Sequence, residues 1–582
     1  MNSPWVWAPD AARIELVTAD ERIELSRGAA GTFVSPHSAL PAGTEYAFEL
    51  SGSGPLPDPR SRWQPHGVHG FSKLLDPAFD WTDAGFRACP LSAGVLYELH
   101  VGTFSTDGSF DGVIPRLPHL QRLGVTHVEL MPVAEFPGKR GWGYDGVNLF
   151  AAHSGYGGPL ALKRLVDACH AHGLAVLLDV VHNHFGPDGN YLPQFGPYLT
   201  ENVHTPWGAG INLDGPNSDG VRRFLIDSAL TWFDEFHFDG LRLDAVHALF
   251  DRSARHYLRQ LAEEVAVLSD RLARPLVLIA ESDLNDPRLV RARDGGGFGL
   301  DAQWNDDFHH ALHVALTAEQ QGIYGDFDGL AHLARAFERG FVYDGQYSQF
   351  RRRQHGLPLE GQPFRRLVVF LQNHDQVGNR ARGERISHLI SSARARIGAA
   401  LVLLGPFVPL LFQGEEWAAS APFQYFTDHV DPELARQVSE GRRREFADYG
   451  FAEREVPDPQ ASSTFEASRL NFDEISQPAH AAMLEFYRLL IQIRRERSEF
   501  TSPEVSPRFD ERSGFFAIDR EQSVVAVNFG RELVRVPLSR HQGARARELL
   551  CATEGARIDD AMLSLPPDSV LIATLSRAAT NR

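Results

Sequence analysis

Phe238-Asp-Gly-Leu-Arg-Leu-Asp-Ala-Val-His247 is the stretch whose reading decides the fold. Read as a strand, its period of two sends Arg242 and Asp244 to one face and Leu241, Leu243 and Ala245 to the other. The apolar face suits packing under helices. The other face holds a carboxylate with a guanidinium two residues away, and that cation favours the charged carboxylate. An ionised carboxylate fixed at the C-terminal end of a strand is what a carboxylate nucleophile requires. A purely structural Arg–Asp pair fits the same residues, and this stretch alone does not separate the two.

Working outward, apolar strand-like runs alternate with helical periodicity. The runs are Val95–Val101, Thr126–Met131, Leu174–Val181, Gly240–Asp244, Leu276–Ala280, Ala302–Trp304, Leu367–Leu371 and Val408–Phe412. Leu160–His172 and Arg222–Phe236 are examples of the helical spacing between them. Repeated βα units of this kind predict a closed (β/α)8 TIM barrel with its active site at the C-terminal strand ends. A doubly wound open sheet is the alternative, but no Gly-rich dinucleotide fingerprint follows a strand. Two connections are long, Pro132–Ser154 and 308–365, and long connections in barrels usually carry function. Before the barrel, short runs such as Arg13–Val17, Arg22–Leu25 and Glu45–Leu50 predict a β-sandwich of immunoglobulin-like, carbohydrate-binding type over 1–90. After it, Gly514–Ile518 and Ser523–Val527 predict a C-terminal β-sandwich over 499–582, leaving 91–498 for the barrel.

Composition excludes several classes. With 582 residues, 43% hydrophobic and 23% charged, the chain reads as multi-domain and globular. A net charge of −18 argues against a nucleic-acid partner. No long apolar run indicates a membrane span, and the start lacks a signal-peptide pattern. Cys89, Cys169 and Cys551 are too scattered for a disulfide framework or metal cluster, so a reducing cytoplasm is the expected location.

Polar, ionisable residues close four of the strands: Asp179-Val-Val-His-Asn-His184, Asp244, Glu281, and Gln372-Asn-His-Asp-Gln376. Carboxylates just past apolar strands are costly unless paired or used. Each has a structural reading. Asp179 can bond backbone, Glu281 can be salt-bridged, and Asp375 can cap a helix. His182 and His184 are rim histidines or metal ligands, and without a third ligand at recognisable spacing no zinc site is expected. Four on one rim point instead to glycoside chemistry, which needs one carboxylate as nucleophile and one protonated carboxyl as acid. Crowding raises one carboxyl's pKa and supplies a protonated Glu281. Gly141-Trp-Gly-Tyr-Asp145 adds aromatics on a loop, and Tyr144 is either a sugar-stacking ring or a packed one.

The blocks Asp179–His184, Gly240–Asp244, Ile279–Glu281 and Asn373–Asp375 resemble the four conserved regions of the α-amylase superfamily in composition, order and spacing. That resemblance implies Asp244 as nucleophile, Glu281 as acid/base and Asp375 as a sugar-hydroxyl ligand that stabilises the transition state. It also implies Arg242, His184 and His374 around the attacked glucose, with Tyr144 stacked on it. More narrowly, Asp58–Gly70, Tyr97–Phe104, Trp142–Gly146, Trp304–His310 and Leu411–Ala419 resemble maltooligosyltrehalose trehalohydrolases over nearly the whole chain. This implies hydrolysis of maltooligosyltrehalose to free trehalose, with a maltooligosyltrehalose synthase as pathway partner. Candidate contacts on the trehalose side are His247, Asp283 and the loop Asn305–His310, with Asp306, Asp307 and His310. Asn183 lies where some relatives bind calcium, but no full ligand set is readable, so neither a metal nor another cofactor is expected. Branching or debranching of glycogen is the alternative of the same chemistry, and a non-catalytic glycan-binding scaffold the alternative of another class.

Overall fold

The computed structural model describes residues 4–36, 40–447, 455–500, 504–520, 522–540 and 544–576. Met1–Ser3, the first residues of the start read for a leader, lie outside them. Eight parallel strands close into a barrel. They are β1 (Leu96–Leu99), β2 (His127–Leu130), β3 (Ala175–Val180), β4 (Gly240–Leu243), β5 (Val277–Ala280), β6 (Ala302–Trp304), β7 (Leu367–Phe370) and β8 (Val408–Phe412). Each falls within a run expected from the sequence. The period of two sorts them into two layers. Leu178, Leu241 and Leu278 face outward to the helices, while Leu96, Leu177, Ile279, Trp304, Phe370 and Leu410 fill the barrel floor.

The same alternation drives Glu98, Glu129, Asp179 and Arg242, all buried, into the upper interior of β1 to β4. In β4 the strand period ends at Leu243, because Ala245 turns into left-handed backbone (φ 38°) and starts the crossing toward His247. Helices α1 (Gly158–Ala171) and α2 (Ser218–Asp234) cover the outside where helical periodicity was read.

Small antiparallel sheets stand at both ends of the chain. Glu45–Leu50 pairs with Ile14–Thr18, which pairs with Arg22–Glu24, and Trp5–Trp7 pairs with Thr32–Val34. At the other end, Phe515–Asp519, Ser523–Asn528 and Ser569–Ser576 lie side by side in one sheet, and a second sheet carries Val534–Pro537 and Met562–Leu565. Their facing sides bury Phe515, Val524, Leu563, Leu565 and Leu571 in a core of their own.

The connection expected as a loop at Asn305–His310 is helical. Asn305 caps α3 (Asp306–Thr317), its side-chain oxygen accepting from the Phe308 N–H at 3.2 Å. Among the described residues no helix is long and apolar enough to cross a membrane. The long C-terminal helix α4 (Pro478–Glu496) is pinned to the barrel by Arg494, which donates to the Leu403, Gly405 and Phe407 carbonyls at 2.8, 3.0 and 2.5 Å just before β8. Arg494→Met leaves those buried carbonyls without their donor, at a cost on the order of 3 kcal/mol. The expected outcome is a lower thermal unfolding midpoint, measured by scanning calorimetry, with turnover unchanged at 25 °C; an unchanged midpoint refutes the role given to Arg494.

Candidate active site

The residues past the C-terminal ends of β3, β4, β5 and β7 converge on one cleft. Its walls include Tyr144, His184, Asp244, His247, Glu281, Asp283, His374 and Asp375, and its volume is about 630 Å³. Arg242 lies beneath it, fully buried. Its Nη1 donates to Asp244 Oδ1 at 2.8 Å and to both Asp179 oxygens at 2.9 and 2.8 Å. Its Nη2 is 3.8 Å from Glu281 Oε2, and its guanidinium lies 4.3 Å from the centre of the Trp304 ring. One cation therefore touches the carboxylates of β3, β4 and β5 together.

Each carboxyl is held differently. Asp244 also accepts from Asn183 Nδ2 at 2.8 Å. Glu281 Oε2 accepts from the Ala245 N–H at 2.5 Å, so the sharp turn after β4 serves the acid on β5. Burial pushes the Glu281 carboxyl above its ordinary range; the Arg242 charge opposes this and the Asp244 charge adds to it. Asp375 is the most open of the three, with 42% of its side chain exposed. It does not cap its helix: Asn373 does so, accepting from Gln376 N–H at 2.9 Å, while Asp375 accepts from Asn379. Asp179 bonds side chains instead of backbone, namely Arg242 and the Tyr144 hydroxyl at 2.6 Å. Burial raises its pKa against the pull of Arg242.

The rings are set by the same contacts. Tyr144 lies almost parallel to His374, with ring centres 5.2 Å apart, and faces the cleft. Trp142, also on the cleft wall, packs against Phe423 and Tyr425, its indole N–H donating to the Gln424 carbonyl at 3.0 Å. Gly143 between them has φ +100°, and a Cβ there would lie 2.1 Å from the Pro132 carbonyl oxygen, so only glycine lets this loop pass. His184 accepts Trp207 as a stacked neighbour at 5.0 Å and bonds the Tyr144 carbonyl at 3.0 Å. His182 turns away from the cleft to the Tyr257 hydroxyl, 2.9 Å away.

The trehalose-side candidates divide. His247 and Asp283 line the cleft, and Asp283 is paired with Arg351 at 3.2 Å. Burial works to raise Asp283, but Arg351 and His247 outweigh it and hold the carboxyl below its ordinary range. Asp307 is spent inside the protein, accepting from the Val342 and Tyr343 N–H groups and from Asn285. His310 is buried against Tyr324 and Phe327. Neither Asp306, Asp307 nor His310 is among the residues lining the cleft. Sequence reasoning missed Trp207, Tyr425 and Arg442 on the cleft wall, and it weighed Asn183 only as a calcium position, not as a donor to Asp244. Asn183 had a legible signal, its place between His182 and His184 past β3, but no sequence pattern names Asp244 as its partner.

An eight-stranded barrel with these rim blocks defines the α-amylase class, and the family model "Alpha amylase, catalytic domain" matches residues 92–196. A crystal structure titled a putative α-amylase from Salmonella typhimurium superposes with a TM-score of 0.89 and 39% identity, over 99% of this chain and 97% of that one. Among curated proteins, malto-oligosyltrehalose trehalohydrolase of Arthrobacter ramosus is 51% identical, over 91% of this chain and 93% of the relative. The protein of that name from Mycobacterium tuberculosis is 45% identical over 99% of both. A glucan branching enzyme of Ralstonia nicotianae is 33% identical over 58% of this chain and 50% of its own length. The chain belongs to the malto-oligosyltrehalose trehalohydrolase family.

Asn183→Ala removes one of the two side-chain donors that hold Asp244. A hydrogen bond to a charged group is worth about 1.5–3 kcal/mol, so kcat/KM is expected to fall by roughly 10- to 100-fold. Steady-state kinetics on the natural substrate check this, and a wild-type rate excludes a part for Asn183 in holding the carboxylate.

Proposed function

We propose that this chain is a retaining glycoside hydrolase. It cleaves the α-1,4-glucosidic bond next to the terminal trehalose unit of maltooligosyltrehalose, releasing trehalose and a maltooligosaccharide. The observation that carries the chemistry is the single guanidinium of Arg242 between Asp244 and Glu281, with Asp375 on the same cleft. The substrate is inferred from the names of the full-length relatives; the branching-enzyme similarity covers much less of the chain.

In the first step an Asp244 oxygen attacks the anomeric carbon and the Glu281 carboxyl gives its proton to the departing glycosidic oxygen. The products are a glycosyl ester on Asp244, a Glu281 carboxylate and free trehalose. In the second step water attacks the same carbon, Glu281 takes back a proton, and the Asp244 carboxylate leaves. Two inversions retain the α configuration. Arg242, Tyr144, His184 and His374 surround the attacked glucose, Asp375 binds its hydroxyls, and His247 and Asp283 face the leaving trehalose. Asp306, Asp307 and His310 do not line the cleft. No metal or other cofactor takes part. A maltooligosyltrehalose synthase supplies the substrate, and three free thiols without a disulfide fit a reducing cytoplasm.

The reading predicts that maltotriosyltrehalose is cleaved to trehalose and maltotriose much faster than maltopentaose, which has the same number of glucose units. The maltotriose is released first as the α-anomer. Chromatography of the products and early-time NMR of the anomers check this; equal rates on the two pentasaccharides exclude the trehalohydrolase assignment, and initial β-anomer excludes retention.

Because the Glu281 pKa is raised, its acid form persists to higher pH than an ordinary carboxyl, and the rate on the natural substrate falls as pH rises through that pKa. Glu281→Gln removes this proton donor. A maltosyl fluoride needs little protonation of its leaving group, so its glycosylation step is expected to lose far less rate than that of the natural substrate. Equal losses in that step for both substrates would falsify the acid assignment.

A further inference from the structure

Two buried glutamates beneath the cleft have no part in the steps above. Glu98 on β1 and Glu129 on β2 stand side by side in register. Glu98 grips His374 twice: Oε1 lies 2.5 Å from the ring Nδ1, and Oε2 accepts from the His374 backbone N–H at 3.0 Å. On the far side of the ring, Nε2 lies 2.8 Å from the Tyr144 hydroxyl oxygen and 3.4 Å from Asp375 Oδ2.

With Glu98 and Asp179 ionised, counting protons over these contacts gives the state of the ring. The Nδ1 contact to a carboxylate requires a proton on Nδ1. Tyr144 has one hydroxyl proton, and it points to Asp179 Oδ2 at 2.6 Å. The Tyr144 oxygen is therefore an acceptor toward Nε2, and so is the Asp375 oxygen; both contacts require a proton on Nε2. The opposite arrangement passes a proton from Asp179 through Tyr144 and leaves Nε2 bare. It would set a neutral carboxyl against the Arg242 nitrogen that bonds both Asp179 oxygens, removing a counter-charge from a fully buried cation. It would also face a bare nitrogen with the Asp375 carboxylate.

We propose that Glu98 is a positioning residue that keeps His374 doubly protonated, so that a fixed imidazolium, not a neutral histidine, presents its Nε2–H at the base of the cleft between Tyr144 and Asp375. Its effect on turnover rests on the glycoside hydrolase reading; the charge state of the ring does not.

The surroundings agree. Asp375 faces the ring from its own helix, Glu98 and His100 from β1 and its end, Glu129 from β2, Tyr144 from the following loop, Asp179 from β3 and Arg242 from β4. Burial opposes the charged ring, but the Asp375 and Glu98 carboxylates outweigh it, and His374 is pushed up to about 9. Burial and the neighbouring Glu98 raise Glu129 well above the ordinary range. With a raised pKa the ring is charged at neutral pH and loses its charge only as pH rises through about 9.

The test is the nitrogen NMR of the full chain labelled with 15N-histidine, the His374 signals being assigned by their loss in His374→Gln. Both ring nitrogens should keep imidazolium shifts through neutral pH, and Glu98→Gln should move the titration down by roughly 1–3 pH units. A neutral His374 at pH 7 in the wild type overturns the proposal, as does an unmoved titration in Glu98→Gln. These measurements use no substrate, so they stand even if the trehalohydrolase reading fails. If Glu98→Gln does not fold, the wild-type titration still decides the charge state, and Glu98→Asp, which keeps the carboxylate at a shorter reach, should retain an imidazolium at pH 7 where a bare nitrogen would refute the role. Kinetics give the functional arm. With maltosyl fluoride, whose glycosylation does not call on the Glu281 proton, kcat/KM of Glu98→Gln should fall off at lower pH than the wild type; a uniform loss at every pH indicates mere structural damage and overturns the positioning role.

Discussion

The contact on which the site depends is the one between Arg242 and three carboxylates. Strand alternation forces Asp179 and Arg242 inward at paired positions of β3 and β4, out of reach of water, with Asp244 just past β4 at the base of the cleft. A lone ionised carboxylate in that position would cost several kcal/mol. A lysine would offer a point charge, whereas the guanidinium fork reaches Asp179 and Asp244 with one nitrogen and approaches Glu281 with another. The Trp304 ring covers its face and keeps it from adopting another direction. Glu98 on β1 and His374 past β7 repeat the scheme across the barrel, with an imidazolium in the place of the guanidinium. The upper barrel is thus a layer of alternating charge, and the cleft rests on it.

How much of this the sequence discloses follows from the range of each interaction. The barrel is legible because every strand carries its own apolar period and every helix its own spacing, so local pattern is enough. The rim carboxylates are legible for the same reason: they come right after apolar strands. Glu98 and Glu129 were in view, each in the middle of an apolar run, but alternation reads such a residue as solvent-facing on an ordinary strand, and only closure of the barrel turns that face inward. Asn305 was read as loop polarity, although Asn followed by two aspartates is a helix start. Asp307 then folds back on the chain near residue 342, a contact with no local signal.

The cleft walls were the least legible. Beyond Tyr144 and its neighbours on the Pro132–Ser154 connection, two segments outside the connections marked as long supply part of them. The hairpin of Leu199–Thr205 and Gly208–Ile211 brings Trp207 against His184, and the helix Pro432–Ala447 brings Val438, Arg442 and Glu445 over the site. Both are amphipathic in ways that fit any exposed element. Arg442, close to the Tyr425 ring at 5.3 Å, donates to the Gly378 carbonyl beside the Asp375 helix. These walls, and not the barrel rim, make the cleft of this chain differ from an open trough.

Crowded carboxyls raise a question of which one carries the proton. Burial raises both Glu281 and Asp306, and each lies within the other's field. A raised pKa alone therefore does not choose the acid. Geometry does: Glu281 is held by the Ala245 N–H at the turn after the nucleophile's strand and lines the cleft, whereas Asp306, in the first turn of its helix, is not among the lining residues. What Asp306 contributes is charge economy. Desolvation and the neighbouring Glu281, Asp283 and Asp375 raise its carboxyl well above the ordinary range, which disfavours a further negative charge in a cluster whose buried counter-charges are already committed to Asp179, Asp244 and Glu98. The acid is therefore selected by position and not by pKa: Glu281 lines the cleft beside Asp244, and Asp306 does not.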